Sequence, residues 1–337
     1  MTPPAIPSKS IFSLKNILIS LTVLLLLSIG AFYYVLKFTK PTVNPTPVAI
    51  TKDTVPPLDT VVLPLVRDSS IFTVGNDVKI VDYFTFIDSV CHSYDSILPY
   101  KLTEYILVRS NPYIMDTLVN TDYDRMKLRD TFIYDQKLLV ILKKGDVLKI
   151  PTLEEAKTIK AKIAKTRIDI NIPEFKLRVI EGEDTIYTCA VRVGQNKIRY
   201  LSEVGRDVDL RTRVGKGFIA FNYKKDYFVD PVEGKRFTET KRDDGKTTLM
   251  PLQPWLEPKM EGQRWGQLIH PTTNLKSVGK AYSNGCIGTR EGDIWRIYYY
   301  APVGTKVAIR YNLKVRDAKG NALRLKDIYS AKSRVKE

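Results

Sequence analysis

Histidine and cysteine are scarce in this chain: its 337 residues carry two of the first and three of the second. His92, His270, Cys91, Cys189 and Cys286 are scattered with no CxxC or HxxxH spacing, so the sequence offers no zinc-type site. It has no Gly-rich phosphate loop either, and the chemistry read below needs neither metal nor cofactor. Three cysteines cannot all pair, so an exported form would keep at least one free thiol, and Cys286 is expected to be it. Cys91 and Cys189 could bridge two folded units. Their apolar-leaning segments favour two separate buried thiols.

What is present sets the frame. With 44% hydrophobic residues the chain can bury more than one compact domain needs, and two folded units are expected. The net charge of +16 favours anionic surroundings: nucleic acid, acidic lipid head groups or an acidic cell-wall polymer. Charge alone does not choose among these. The lysines at 157, 160, 162 and 165 lack the interleaved aromatics that nucleic-acid binding would use, so they are read as a solvated face with no nucleic-acid partner.

Residues 17–36 contain no charge and, at about 1.5 Å per residue, span roughly 30 Å as a helix, the thickness of a bilayer's hydrocarbon core. They are read as a transmembrane helix following a cytoplasmic segment, residues 1–16. Ser28-Ile29-Gly30 offers a cleavable signal as the alternative, but the apolar run continues past it. Lys9 and Lys15 precede the run, while Lys37, Lys40 and Lys52 behind it blunt the orientation signal. Residues 37–60 form a Pro/Thr-rich tether. Residues 61–165 read as a small α+β unit with a connecting helix, residues 166–312 as a mainly β domain, and residues 313–337 as a basic extension.

Within the small unit, Tyr83 to Ile97 places apolar residues on one helical face. The tail Gly145 to Pro151 resembles the end of a LysM glycan-binding repeat, the rest of which is not visible. Thr152 and Glu155 form a capping-box pattern ahead of a helix to Ala164. In the β domain, Arg167 to Ile172, Lys176 to Ile180 and Thr185 to Val193 alternate like strands joined by tight turns, which suggests a sandwich or open barrel. Tyr223 to Lys246 reads as a polar excursion or flap, and Glu291 to Tyr300 as a helix with Trp295, Tyr298 and Tyr299 packed inward.

The chemistry is concentrated in Ser283-Asn284-Gly285-Cys286-Ile287-Gly288. A thiol becomes a useful nucleophile when an imidazole takes its proton and a turn offers backbone N–H groups to the developing oxyanion. His270, at the end of a buried strand, is the available base. His92 adjoins Cys91, but neighbours on a regular element point apart, so that pair is set aside.

The run Ile269-His270, a spacer, and Ser283-Asn284-Gly285-Cys286-Ile287 resembles the signature of the L,D-transpeptidase (YkuD) catalytic domain, in which a histidine precedes a [Ser/Thr]-His-Gly-Cys turn. The similarity spans about Thr166 to Asn312. Thr212-Arg213-Val214-Gly215, Met250-Pro251 and Pro302 to Val307 are further landmarks. Three departures stand out. Asn284 replaces the usual histidine, Gly288 stands where arginine or asparagine is common, and the spacer is short. Arg290 is the candidate to replace the missing contact to a substrate carboxylate.

The resemblance implies a YkuD-like β-sandwich or open barrel and an enzyme acting outside the cytoplasm on peptidoglycan stem peptides, anchored to the membrane by the helix read at residues 17–36. Cys286 would be the nucleophile and His270 the base, with Ser283, Asn284 and Gly285 around the oxyanion. It also implies covalent inhibition by carbapenem-type β-lactams. An L,D-carboxypeptidase, an acyltransferase attaching a protein to peptidoglycan, and a non-catalytic peptidoglycan-binding envelope protein are the alternatives.

Overall fold

The computed structural model describes residues 70–317, 319–330 and 335–336. The expected transmembrane helix and tether lie outside these residues. Among the described residues no helix is long and apolar enough to cross a membrane.

The described residues open with strand β1 (Ile71–Thr73) and helices α1 (Ile80–Ser93), α2 (Glu104–Ser110), α3 (Pro112–Val119) and α4 (Tyr123–Leu128). Strand β2 (Val147–Lys149) returns antiparallel to β1, so the Gly145 to Pro151 tail closes this part of the chain on its own start. Helix α1 buries Tyr83, Ile87, Val90 and Cys91 on one side, as its apolar spacing requires. Helix α5 (Leu153–Ala164) opens with the Thr152–Glu155 capping box and buries only Ala156, leaving its lysines in solvent.

A large sheet follows: β3 (Thr166–Asn171), β4 (Lys176–Glu181), β5 (Asp184–Ala190), β6 (Gly215–Lys225), β7 (Gln253–Met260), β8 (Ile269–Pro271), β9 (Ile287–Thr289) and β10 (Lys306–Arg310). The strand order is β9-β8-β7-β6-β10-β3-β4-β5, with a short strand, Gln263–Arg264, paired to β7. Pairs β8–β9 and β10–β3 are parallel and the other neighbours antiparallel. Immediately beyond β5 the chain forms a bridge between Arg192 and Gly288 of β9. The two edges of the sheet thus meet, and the expected mainly β open barrel is nearly closed.

Helix α6 (Glu291–Tyr300) lies against this sheet and against α3. Trp295, Tyr298 and Tyr299 are fully buried on it, and Tyr83 of α1 meets the Tyr299 hydroxyl at 2.7 Å. Each such aromatic contributes on the order of 1.5–3 kcal/mol of burial. The α6 N-terminus carries Glu291 and Asp293, favourable for the helix dipole, and Asp122 accepts the Gly292 N–H at 2.8 Å. Buried Glu291 is held by Arg242, by Gln136 at 2.9 Å and by the Tyr123 N–H at 3.0 Å. Residues 70–165 and 166–312 therefore meet along α6 and share one core. Cys91 and Cys189 are separate buried thiols. His92 is at the surface, 3.0 Å from Asp95.

Candidate active site

The parallel pairing of β8 with β9 assembles the site. Ile269 lies opposite Ile287 and His270 opposite Gly288, and the Ile287 N–H donates to the Leu268 carbonyl at 2.8 Å. Because side chains alternate along a strand, Cys286 and Gly288 share the face on which His270 stands. Cys286 immediately precedes β9, diagonal to His270 of β8, and no hydrogen bond joins the two side chains. Such contacts commonly tighten only around a substrate.

His270 is buried and its ring is fixed on both sides. It stacks on Trp255 with centroids 4.3 Å apart and planes 13° from parallel. Its Nδ1 lies 2.8 Å from the Pro271 carbonyl oxygen. A carbonyl only accepts, so Nδ1 carries the proton and Nε2 is left as the base. Burial, helped by the nearby Arg192 charge, pulls the imidazole down to about 3.

Cys286 is half-buried at the end of a sharp turn. Gly285 holds φ +113°, and a Cβ there would come within 2.7 Å of the Gln267 Nε2. The Leu268 N–H points at the Cys286 Sγ at 3.4 Å, a weak donor to sulfur that favours the thiolate. Burial pushes the thiol up, while the Leu268 N–H and Arg192 pull the other way. At rest the pair is a neutral thiol beside a neutral imidazole, suited to proton transfer during attack.

The other expected residues fall into distinct places. The Ser283 hydroxyl donates to the Cys286 carbonyl at 2.6 Å and accepts from the Gly285 N–H at 3.3 Å, so its proton braces the turn. Asn284, where the family signature has histidine, accepts from Gln195 Nε2 at 3.3 Å. Arg290 precedes α6, is exposed, and its charge acts on Cys189 and Asp293. Among the described residues no group of three metal-ligating side chains forms.

Arg192 was not evident from the sequence as a site residue. It lines, with His270, a cleft of about 350 Å³ whose other walls include Trp255, Thr272, Lys241 and Phe237. The polar excursion Tyr223 to Lys246 supplies the outer wall through short strands at Phe228–Val229, Arg236–Phe237 and Glu239–Lys241. Thr240 of that wall meets Thr273 hydroxyl to hydroxyl at 2.7 Å.

A second cleft, of about 560 Å³, is bounded by Arg213, Trp265, Tyr311 and Tyr329. The basic extension builds part of it. The Tyr329 hydroxyl donates to the Gly194 carbonyl at 2.7 Å and accepts from the Thr212 N–H at 3.1 Å. Thr212 in turn donates to the Gly285 carbonyl at 2.9 Å, so Tyr329 sits two hydrogen bonds from the Gly285-Cys286 turn.

Residues 165–309 match the YkuD family, described as the L,D-transpeptidase catalytic domain. YkuD of Bacillus licheniformis is 34% identical over 99 residues, covering 26% of this chain and 56% of that protein. The chain thus spans little more than half the length of this curated relative. Among solved structures, the L,D-transpeptidase of Xylanimonas cellulosilytica aligns at 10% identity over 72% of this chain and 98% of its own, with a TM-score of 0.32. L,D-transpeptidase 3 of Mycobacterium tuberculosis, solved with a faropenem-derived adduct, aligns at 12% identity over 43% of this chain and 60% of its own, with a TM-score of 0.29. Residues 165–309 of this chain, a span that takes in His270 and the Ser283 to Gly288 turn, thus match the YkuD L,D-transpeptidase catalytic domain.

Proposed function

We propose that this protein is a cysteine-dependent L,D-transpeptidase that cross-links peptidoglycan stem peptides through a thioester on Cys286. The observation that carries the reading is the β8–β9 register, which stands His270 and Cys286 on one face of the sheet beside the Gly285 turn.

The steps follow from the atoms present. His270 Nε2 takes the Cys286 proton as Sγ attacks the carbonyl joining the third stem residue to the terminal D-alanine. Negative charge moves to the carbonyl oxygen, where backbone N–H groups of the turn stabilise it. Losing one such donor typically costs about 10²- to 10³-fold in rate. The C–N bond then breaks, and the His270 proton passes to the departing amine. Arg192 assists both halves, since its charge favours the thiolate and disfavours a lasting imidazolium. The amine of a second stem attacks the thioester, forms the cross-link amide and returns the thiol. The donor occupies the cleft shared by His270 and Arg192, and the acceptor approaches from the Trp265 side.

Residues 17–36 would hold the protein as a single-pass anchor, with the catalytic domain outside the cytoplasm where its polymer lies. The test is incubation of the protein with a defined disaccharide-tetrapeptide, wild type against Cys286→Ala. D-Alanine release with a cross-linked dimer supports transpeptidation. Release without dimer indicates a carboxypeptidase, and no Cys286-dependent change supports the non-catalytic wall-binding alternative. Carbapenem should add covalently to Cys286, and intact mass showing no adduct would count against an activated thiol.

A further inference from the structure

Gly288 and Arg192 occupy one site at the seam of the barrel. Their backbones exchange a closed pair of hydrogen bonds, Arg192 N–H to Gly288 O at 2.8 Å and Gly288 N–H to Arg192 O at 3.0 Å. A Cβ on residue 288 would lie 2.4 Å from Arg192 Nε, 2.6 Å from its Cγ and 2.8 Å from its Cδ. The space where a side chain of residue 288 would begin is therefore filled by the stem and head of Arg192, arriving from the opposite edge of the sheet.

That guanidinium has no anion. Among the described residues no carboxylate lies within ion-pair distance of it, and its one side-chain partner is the Ser277 hydroxyl at 3.4 Å. Its Nε is enclosed and has no acceptor among the described residues. An enclosed charge is expensive unless paired, so an arginine fork that lines a cleft and has no carboxylate partner among the described residues is a place for an anion. The cleft reinforces this: Arg192 and Lys241 line it against a single acid, Glu239. A planar fork matches a carboxylate through two parallel hydrogen bonds.

We infer that Arg192 is the carboxylate-binding residue of the donor cleft, seated where the small Gly288 leaves room for it. This rests on the transpeptidase reading for the identity of the ligand. The donor peptide offers two carboxylates of the same chemistry, one on the side chain of the third residue where that residue is a diamino dicarboxylic acid, the other at the terminal residue. Bound there, the carboxylate neutralises Arg192 and fixes the scissile carbonyl between His270 and Cys286.

The test measures affinity by calorimetry in a Cys286→Ala background, which keeps the peptide intact. Three tetrapeptides are compared: both carboxylates free, the third-residue side chain amidated, and the C-terminus amidated. With Arg192 present, one amidation should weaken binding about 10- to 100-fold, the loss expected for a charged hydrogen-bonded pair, and the sensitive position names the carboxylate. Arg192→Gln should bind the free peptide that much more weakly and become indifferent to that amidation, while Arg192→Lys recovers part of the preference. If neither amidation changes affinity with Arg192 in place, the inference is overturned whatever the variants do. It is equally overturned if the preference survives in folded Arg192→Gln. D-Alanine release by the wild-type chain is read separately. Its absence would refute the transpeptidase reading, while Arg192-dependent discrimination would still identify the anion site.

Discussion

His270 should make this protein acid-sensitive by a predictable amount. Its imidazole has an ordinary value of 6.5 and is pulled down to about 3 in the folded chain, chiefly by burial and then by the Arg192 charge. Between these values the unfolded chain binds a proton that the folded chain refuses, so stability is lost as pH falls from 6.5 toward 3. The contribution is near zero at about pH 7.5 and reaches about 2 kcal/mol of destabilisation at about pH 5, taken from the two values in the linkage relation. Urea unfolding of wild type and His270→Gln over this range measures it. Glutamine removes the titration and can still donate to the Pro271 carbonyl, so the wild type should lose about 2 kcal/mol more than the variant on acidification. Equal losses, or a His270 ring signal titrating near its ordinary value, would refute the argument.

Two further outcomes follow from the same site. Alkylation of Cys286 by iodoacetamide should accelerate with pH with a midpoint above the ordinary thiol value of 9.0, and Arg192→Gln should move that midpoint higher because Arg192 favours the thiolate. Tyr329→Phe leaves the Gly194 carbonyl and the Thr212 N–H without their partner, so it should cost about 1–3 kcal/mol in urea unfolding and slow donor cleavage several-fold.

The parts of this structure legible in the sequence are those fixed by short-range spacing. The Thr152–Glu155 capping box, the alternation of β3 and β4, the bounds of α6 and the Gly285-Cys286 turn each depend on residues a few positions apart. The separate burial of Cys91 and Cys189 was also visible from their apolar neighbours. Arg192 was hidden because its role depends on the two edges of a sheet meeting, which no local pattern encodes. Its signals were indirect: a glycine at 288 where the family carries a larger polar residue, and an arginine isolated between Val191 and Val193. Arg290 is nearer in sequence and stands exposed at the start of α6. The sharing of one core by residues 70–165 and 166–312 was hidden for a similar reason, since α6 reads as an amphipathic helix without saying that it is covered on both sides.

The central claim is that Cys286 carries the acyl group. Acid-quenched intact-mass analysis during turnover of a disaccharide-tetrapeptide tests it most directly. The account predicts a transient adduct equal to the donor minus D-alanine, mapped to Cys286, labile to hydroxylamine and absent from Cys286→Ala. D-Alanine release that proceeds with no adduct and survives Cys286→Ala would contradict it.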